Sequence, residues 1–281
     1  MSPTLWLTAV AMVAFAGNSL LARLALVDGA MDVAGFTGFR LASGAAVLAL
    51  IALRSGKSSD GESTIGGSWA SALALFVYAI AFSLAYVRLG AAVGALILFT
   101  SVQAAMIGWG LYRGERPTGR EIAGLSVAFT AFVLWLVPAV TRPDPLGTLL
   151  MISAGVAWAV YSLRGRAAGD PMRATAGNFI RTLPLAVPLA LVSLWRDGVT
   201  AEGLILALAS GCVASALGYI VWYRALAGLS ALAAAIVQLS VPVIAALGAV
   251  LFLSETLSLG FIVAATFVLG GIGFALSARQ G

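Results

Sequence analysis

The sequence predicts an all-α integral membrane protein, with ten transmembrane helices arranged as two inverted five-helix repeats around a central cavity. Three observations predict it. Of 281 residues, 61% are hydrophobic and 10% charged, with mean hydropathy +1.04, whereas a soluble domain carries about a quarter charged residues. The apolar residues fall into ten runs near the ~20 residues a helix needs to cross a bilayer. The chain also matches itself at a nearly constant offset. Its longest polar stretch, residues 54–68, leaves no soluble domain over, so the membrane portion must hold the function.

Reading apolar runs between charges and Pro or Gly turns predicts helices at 5–25, 33–53, 69–88, 91–112, 120–138, 145–163, 173–195, 204–224, 229–252 and 260–277. The first contains AFAG at 14–17, which resembles a signal-peptide cleavage site. No Lys or Arg precedes that run, however, and it continues to Arg23, so a retained helix is expected. The third and fourth runs nearly touch, as do the eighth and ninth, and Arg88 and Arg224 mark those turns. Pro184 and Pro188 in the seventh helix and Pro242 in the ninth remove backbone donors and should bend them. The GxxxG pairs Gly90/Gly94 and Gly110/Gly114 read as packing faces.

Fifteen Arg and one Lys stand against eleven acids, giving a net charge of +5. In so apolar a chain this excess reports loop topology rather than nucleic-acid binding. Arg54, Lys57, Arg113, Arg116, Arg120, Arg164, Arg166, Arg173, Arg224 and Arg279 flank one set of alternate connections, while Arg23, Arg88, Arg142 and Arg196 flank the other. The richer set is expected in the cytoplasm, with both termini inside. The single Cys212 and the absence of His leave no disulfide and no metal-ligand set, and no cofactor is implied.

Residues 11–23 (AMVAFAGNSLLAR) align with 154–166 (AGVAWAVYSLRGR) at an offset of 143, with seven identities and Phe15 opposite Trp158. Leu89 to Glu115 aligns with Leu229 to Glu255 at an offset of 140, again with seven identities. Repeats at 1–140 and 141–281 follow. Five helices is an odd number, so the second repeat starts on the other side of the membrane, as in alternating-access proteins that bind cargo near the midplane between halves.

Ten spans, two five-helix repeats, Glu115 and Glu255 just after the fourth and ninth helices, and the LxxxxA…P…E pattern of residues 229–255 resemble the drug/metabolite transporter superfamily, EamA branch. Within it the sequence is most similar to YddG-type amino-acid exporters of the bacterial inner membrane. This resemblance implies a basket with helices one, three, four, six, eight and nine around the cavity and helices five and ten set apart. It implies export of aromatic and other amino acids and related metabolites, so the expected partners are a small-molecule amino-acid substrate and the lipid bilayer. Oligomeric state is left open, a monomer included. One departure is Val102, which stands where the second repeat has Pro242.

Polar side chains within hydrocarbon face a cavity or another helix. Asn18, Tyr78, Gln103, Tyr219 and Gln238 lie near helix middles and offer donors and acceptors to a zwitterion. Interhelical hydrogen bonds, worth only about 1 kcal/mol each, are the competing explanation. Trp158 lies deeper than the other indoles and is expected as an aromatic cavity wall. Trp6, Trp69, Trp109, Trp135 and Trp195 read as interfacial anchors, and Trp222 and Tyr223, nearer an inner end, as a belt or, as the second reading, a gate. Arg40 and Arg181 hold related places in helices two and seven. An Arg at the bilayer centre costs at least about 2.5–3.5 kcal/mol, but one near an end can snorkel or bind helix-terminal carbonyls, so gating or structural charges are expected.

All eleven acids, Asp28, Asp32, Asp60, Glu62, Glu115, Glu121, Asp144, Asp170, Asp197, Glu202 and Glu255, fall in connections or at helix ends. Proton-coupled pumps commonly use an intramembrane carboxylate or His, so the reading is facilitative export by alternating access without a buried carboxylate relay. Another small metabolite or a drug, moved with or without protons, is the alternative cargo. Phosphorylated cargo would want clustered cations, and only Arg40 and Arg181 stand inside helices. An intramembrane enzyme would need a nucleophile and base, or metal ligands, at depth, and there is no HExxH, GxSxG or buried acid pair. No catalytic residue is assigned.

Overall fold

The computed structural model describes residues 3–26, 29–54, 66–137, 144–196, 198–253 and 258–277. Asp28, Lys57, Asp60, Glu62, Arg142, Asp197, Glu255 and Arg279 lie outside the described residues. Ten helices are long and apolar enough to span a bilayer: α1 Pro3–Leu26, α2 Val33–Arg54, α3 Trp69–Leu89, α4 Val93–Tyr112, α5 Gly119–Leu136, α6 Pro145–Gly165, α7 Pro171–Trp195, α8 Ala201–Leu226, α9 Ala231–Phe252 and α10 Leu259–Ser277. Local chemistry sets their starts. Asp144 and Asp170 cap helices that open on Pro145 and Pro171, where the missing proline N–H is an orphan in any case. Thr118 and Glu121 form a capping box at α5.

Helical hydrogen bonding runs through residues 69–112, yet α3 and α4 point in opposite directions. Along α6, Gly147 lies against Arg88 and Leu89, and Arg164 donates to Ser71, so α6 runs antiparallel to α3. Met151 lies against Gly94 and Gly155 against Leu98 and Ser101, so α6 runs parallel to α4. The repeat mate of α6 is α1, and it packs on the mates of α3 and α4 in the same way. Thr4 meets Gly228, Ala14 meets Gly218 and Asn18 meets Ser210, antiparallel to α8, while Leu20 meets Gly248 alongside α9.

The remaining helices pair with their own mates, α2 with α7 and α5 with α10. A Cβ on Gly124 would strike the Gly271 carbonyl, and one on Gly271 would strike Gly124. That reciprocity is what a pseudo-twofold axis between the two helices requires. The two halves are therefore inverted repeats.

Three departures from regular helix stand out. In α9 a turn at Leu239 separates 231–238 from 240–253, because Pro242 cannot donate to Gln238 four residues earlier. In α8 residues Ser210–Leu217 adopt π-helical bonding. By contrast, α7 stays helical through Pro184 and Pro188. Arg113, Arg116, Arg120, Arg164, Arg166, Arg173 and Arg224 mark one end of the bundle, here termed the basic face, and Arg23, Arg88 and Arg196 mark the opposite face.

Candidate functional site

Each face carries a depression. On the basic face a basin of about 700 Å³ is lined by Ser68, Ser71, Arg164, Arg173, Asn178 and Tyr223. On the opposite face a cavity of about 230 Å³ lies among α1, α3, α4, α5 and α9, lined by Ser19, Arg23, Phe82, Tyr86, Phe99 and Trp135. Helix α5 thus contributes Trp135 to the wall, although the resemblance set it apart.

A ladder of aromatic rings joins the two depressions. From the basic-face basin, Tyr223 lies 5.0 Å from Tyr161, Tyr161 5.7 Å from Trp158, Trp158 4.8 Å from Tyr78, Tyr78 5.8 Å from Phe82, and Phe82 5.1 Å from Tyr86 in the opposite cavity. Phe15 wedges edge-on against Trp158, Tyr219 and Trp222 at 5.1, 5.7 and 5.5 Å. Such spacings are those at which aromatic pairs gain about 0.5–1.5 kcal/mol beyond burial. Trp222 and Tyr223 are 0% and 2% exposed, so they do not form the belt expected from the sequence. The Trp222 indole donates to Ser162 at 3.0 Å and the Tyr223 hydroxyl to the Tyr161 carbonyl at 3.1 Å. Those bonds hold both rings inside the barrier. Trp6, Trp69, Trp109 and Trp195 are exposed, as anchors should be.

The polar residues singled out in the sequence are all buried. Trp158 donates to the Gln238 side-chain carbonyl at 2.6 Å, and the Gln238 amide donates to Met106 and to the Ala234 carbonyl. Gln103, one turn before Met106, donates to the Ala235 carbonyl at 2.7 Å, and its own Oε1 has no partner. Asn18 accepts from Ser210. Arg40 donates to Ser215 and Tyr219 at 2.9 and 2.8 Å and lies 5.6 Å from the Tyr78 ring. Tyr78, Trp158, Tyr219, Gln238 and Arg40 therefore form one contiguous group, with Gln103 beside it and Asn18 bracing α1 against α8. Arg181 stands apart, donating to the carbonyls of Gly66 and Gly177 at 2.6 and 2.9 Å.

A family model described as the EamA-like transporter family matches residues 145–277, the five helices α6–α10. An uncharacterized protein of Pseudomonas aeruginosa is 48% identical over 279 residues, covering 99% of this chain and 96% of its own. The chain belongs to the EamA-like transporter family. The threonine/homoserine exporter RhtA of Escherichia coli K12 is 32% identical over 168 residues, 56% of each chain. A solved crystal structure superposes with a TM-score of 0.77 at 19% identity, covering 96% of this chain and 99% of that one, and so has the same fold. The protein is a membrane transporter of the drug/metabolite superfamily.

Two features of this transporter's site were not assigned from the sequence. The first is a latch at the basic face. Glu115, after α4, accepts from the backbone N–H groups of Ala231 and Leu232 at 3.0 and 3.3 Å and pairs with Arg166 at 3.1 Å. One carboxylate thus ties α4 to the start of α9 and the end of α6, and it meets the positive end of the α9 dipole. Partial burial pushes the Glu115 carboxyl up, but the two backbone bonds and Arg166 outweigh it and hold it below the ordinary range. The repeat alignment already paired Glu115 with Glu255 and Arg166 with Arg23, and that was its signal. Gly114, at φ +83°, makes the turn that aims Glu115 back, and Gly110 leaves room for it. The second is the π-segment of α8, where Ser210, Ser215 and, just beyond, Tyr219 receive Asn18 and Arg40.

Proposed function

We propose that this transporter exports amino acids, aromatic and other neutral ones, and related metabolites by alternating access, running down their gradient without a buried carboxylate relay. The observation that carries this reading is the aromatic ladder closing the path between two facing depressions. Rings and neutral amides suit a small zwitterion with an apolar side chain. The RhtA likeness points the same way. The excess of cations supports a cytoplasmic basic face with both termini on that side, and a bacterial inner membrane is the compartment this reading takes. The six acids among the described residues stand outside the spans or in their first turns.

The test is purified protein in liposomes loaded with labelled threonine, homoserine or phenylalanine, assayed with and without an imposed pH difference. Efflux down the gradient at equal pH is expected, reduced in Trp158→Ala, Gln103→Ala and Gln238→Ala. Strict dependence on a proton gradient would overturn the facilitative mechanism. Failure to move any of the three amino acids while another metabolite is moved would overturn the cargo.

A further inference from the structure

Arg40 is 0% exposed, and a guanidinium cannot shed its charge in a protein. It does not snorkel. Gly211 of α8 abuts the Arg40 carbonyl, ten residues inside α8, and the guanidinium reaches further in, to Ser215 and Tyr219. Buried charges are normally balanced by an opposite charge or fully hydrogen-bonded. Here the partners are two neutral hydroxyls and the face of Tyr78, no described carboxylate lies within ion-pair distance, and Nη1 has no partner.

Its repeat mate shows what a structural arginine looks like in this fold. Arg181 is half-buried and spends its charge on two backbone carbonyls. Arg166 has Glu115. Arg40 alone among these three keeps a buried donor unused, and it does so beside the ladder. Tyr78, which it faces, touches Phe82 at the floor of the opposite cavity.

We propose that Arg40 is the anchor for the carboxylate of the cargo, with Nη1 as the vacant donor and the rings of Tyr78, Trp158 and Tyr219 as the wall for the side chain. This deepens the amino-acid reading and rests on it. Cargo bound at this group displaces the Tyr219 hydroxyl from Nη2 and presents two oxygens to the guanidinium fork, a geometry in which arginine binds carboxylates bidentately, and Phe82 lies between the group and the opposite cavity through which export would release it.

The test is calorimetric titration of the purified protein with L-phenylalanine and L-phenylalaninamide, and with L-threonine and L-threoninamide. Each pair replaces the carboxylate by a neutral amide, and titration at about pH 6 keeps the α-amine of both members protonated. Wild type should bind the acids at least about tenfold more tightly than the amides, as loss of one charge-assisted contact predicts. Arg40→Gln should bring that ratio to about one, and Arg181→Gln should leave it unchanged. Should Arg40→Gln fail to elute as a folded species, Arg40→Lys decides. It keeps charge but lacks the fork, so it should weaken acids and spare amides, and equal weakening of both would overturn the proposal. Equal binding of acid and amide by wild type would overturn the anchor while leaving an amino-acid transporter. Binding of neither pair would overturn the anchor and the amino-acid reading together.

Discussion

The two faces of the bundle are built from the same repeat, yet their helices meet in different ways. At the basic face, α4, α6 and α9 converge on Glu115, and Tyr161 and Tyr223 lie directly beneath. At the opposite face the repeat mates α9, α1 and α4 bound the smaller cavity, whose wall includes Arg23, the repeat mate of Arg166. The difference teaches what closure consists of. One part is ionic, a carboxylate crossing from the first repeat to a helix start and an arginine of the second. The other is aromatic, a stack of rings between the two depressions.

The comparison can be broken at the stack or at the latch. The largest effect belongs to Trp158→Ala, which removes the central ring and leaves the Gln238 carbonyl unpaired. Loss of a large core aromatic costs about 3–5 kcal/mol, so a lower melting temperature in detergent and a loss of saturable efflux are expected. Unaltered efflux would mean that the ladder does not bear on the path.

Glu115→Gln comes next. It keeps the shape but loses the charge on two helix N–H groups and Arg166, a loss of about 1–2 kcal/mol of closure after allowance for partial exposure. A cysteine placed at Ala168, in the basin wall, should then react faster with a water-soluble maleimide. An unchanged rate would show that this face is held shut elsewhere.

The same carboxylate sets a pH dependence. Its pKa lies below the ordinary value, so its contribution is complete above the ordinary carboxylate range near 4.3 and is lost as pH falls through the depressed value. Labelling at position 168, expressed relative to a fully exposed cysteine whose thiolate fraction falls equally with pH, should be flat above the ordinary carboxylate range and rise as pH falls below it. Glu115→Gln should abolish that rise. The smallest change is expected from Gln103→Leu, which removes one interhelical hydrogen bond worth about 0.6 kcal/mol and should shift the melting temperature by no more than a few degrees.

Much of the fold was legible because hydrocarbon imposes a simple rule, and every span falls within three residues of its predicted limits. The inverted repeat was legible for the same reason, since paired charges such as Arg23 and Arg166 survive where Ala and Gly matches mean little. The site was legible in its members but not in its connections. Tyr78, Trp158, Tyr219 and Gln238 meet as a group, but nothing in their spacing says that Trp158 bonds Gln238 or that Trp222 turns inward to Ser162. Arg40 and Arg181 occupy matching places in the sequence and very different places in the protein, because one meets hydroxyls and the Tyr78 ring and the other the carbonyls of Gly66 and Gly177. The π-bonding of α8 has no compositional mark at all.

That irregular stretch of α8 has a mechanical corollary. Bonding of i to i−5 differs from i to i−4 by one residue of register, and one residue of an α-helix is about 100° of rotation. Were residues 210–217 to take up ordinary pitch, Tyr219, Trp222 and Tyr223 would swing around the axis as a unit, and one rung, Tyr223, would leave the stack together with the two rings that hold Phe15. A screw of that kind would need no unfolding and little translation, and its two stops would be the hydroxyls by which Asn18 and Arg40 grip the coil.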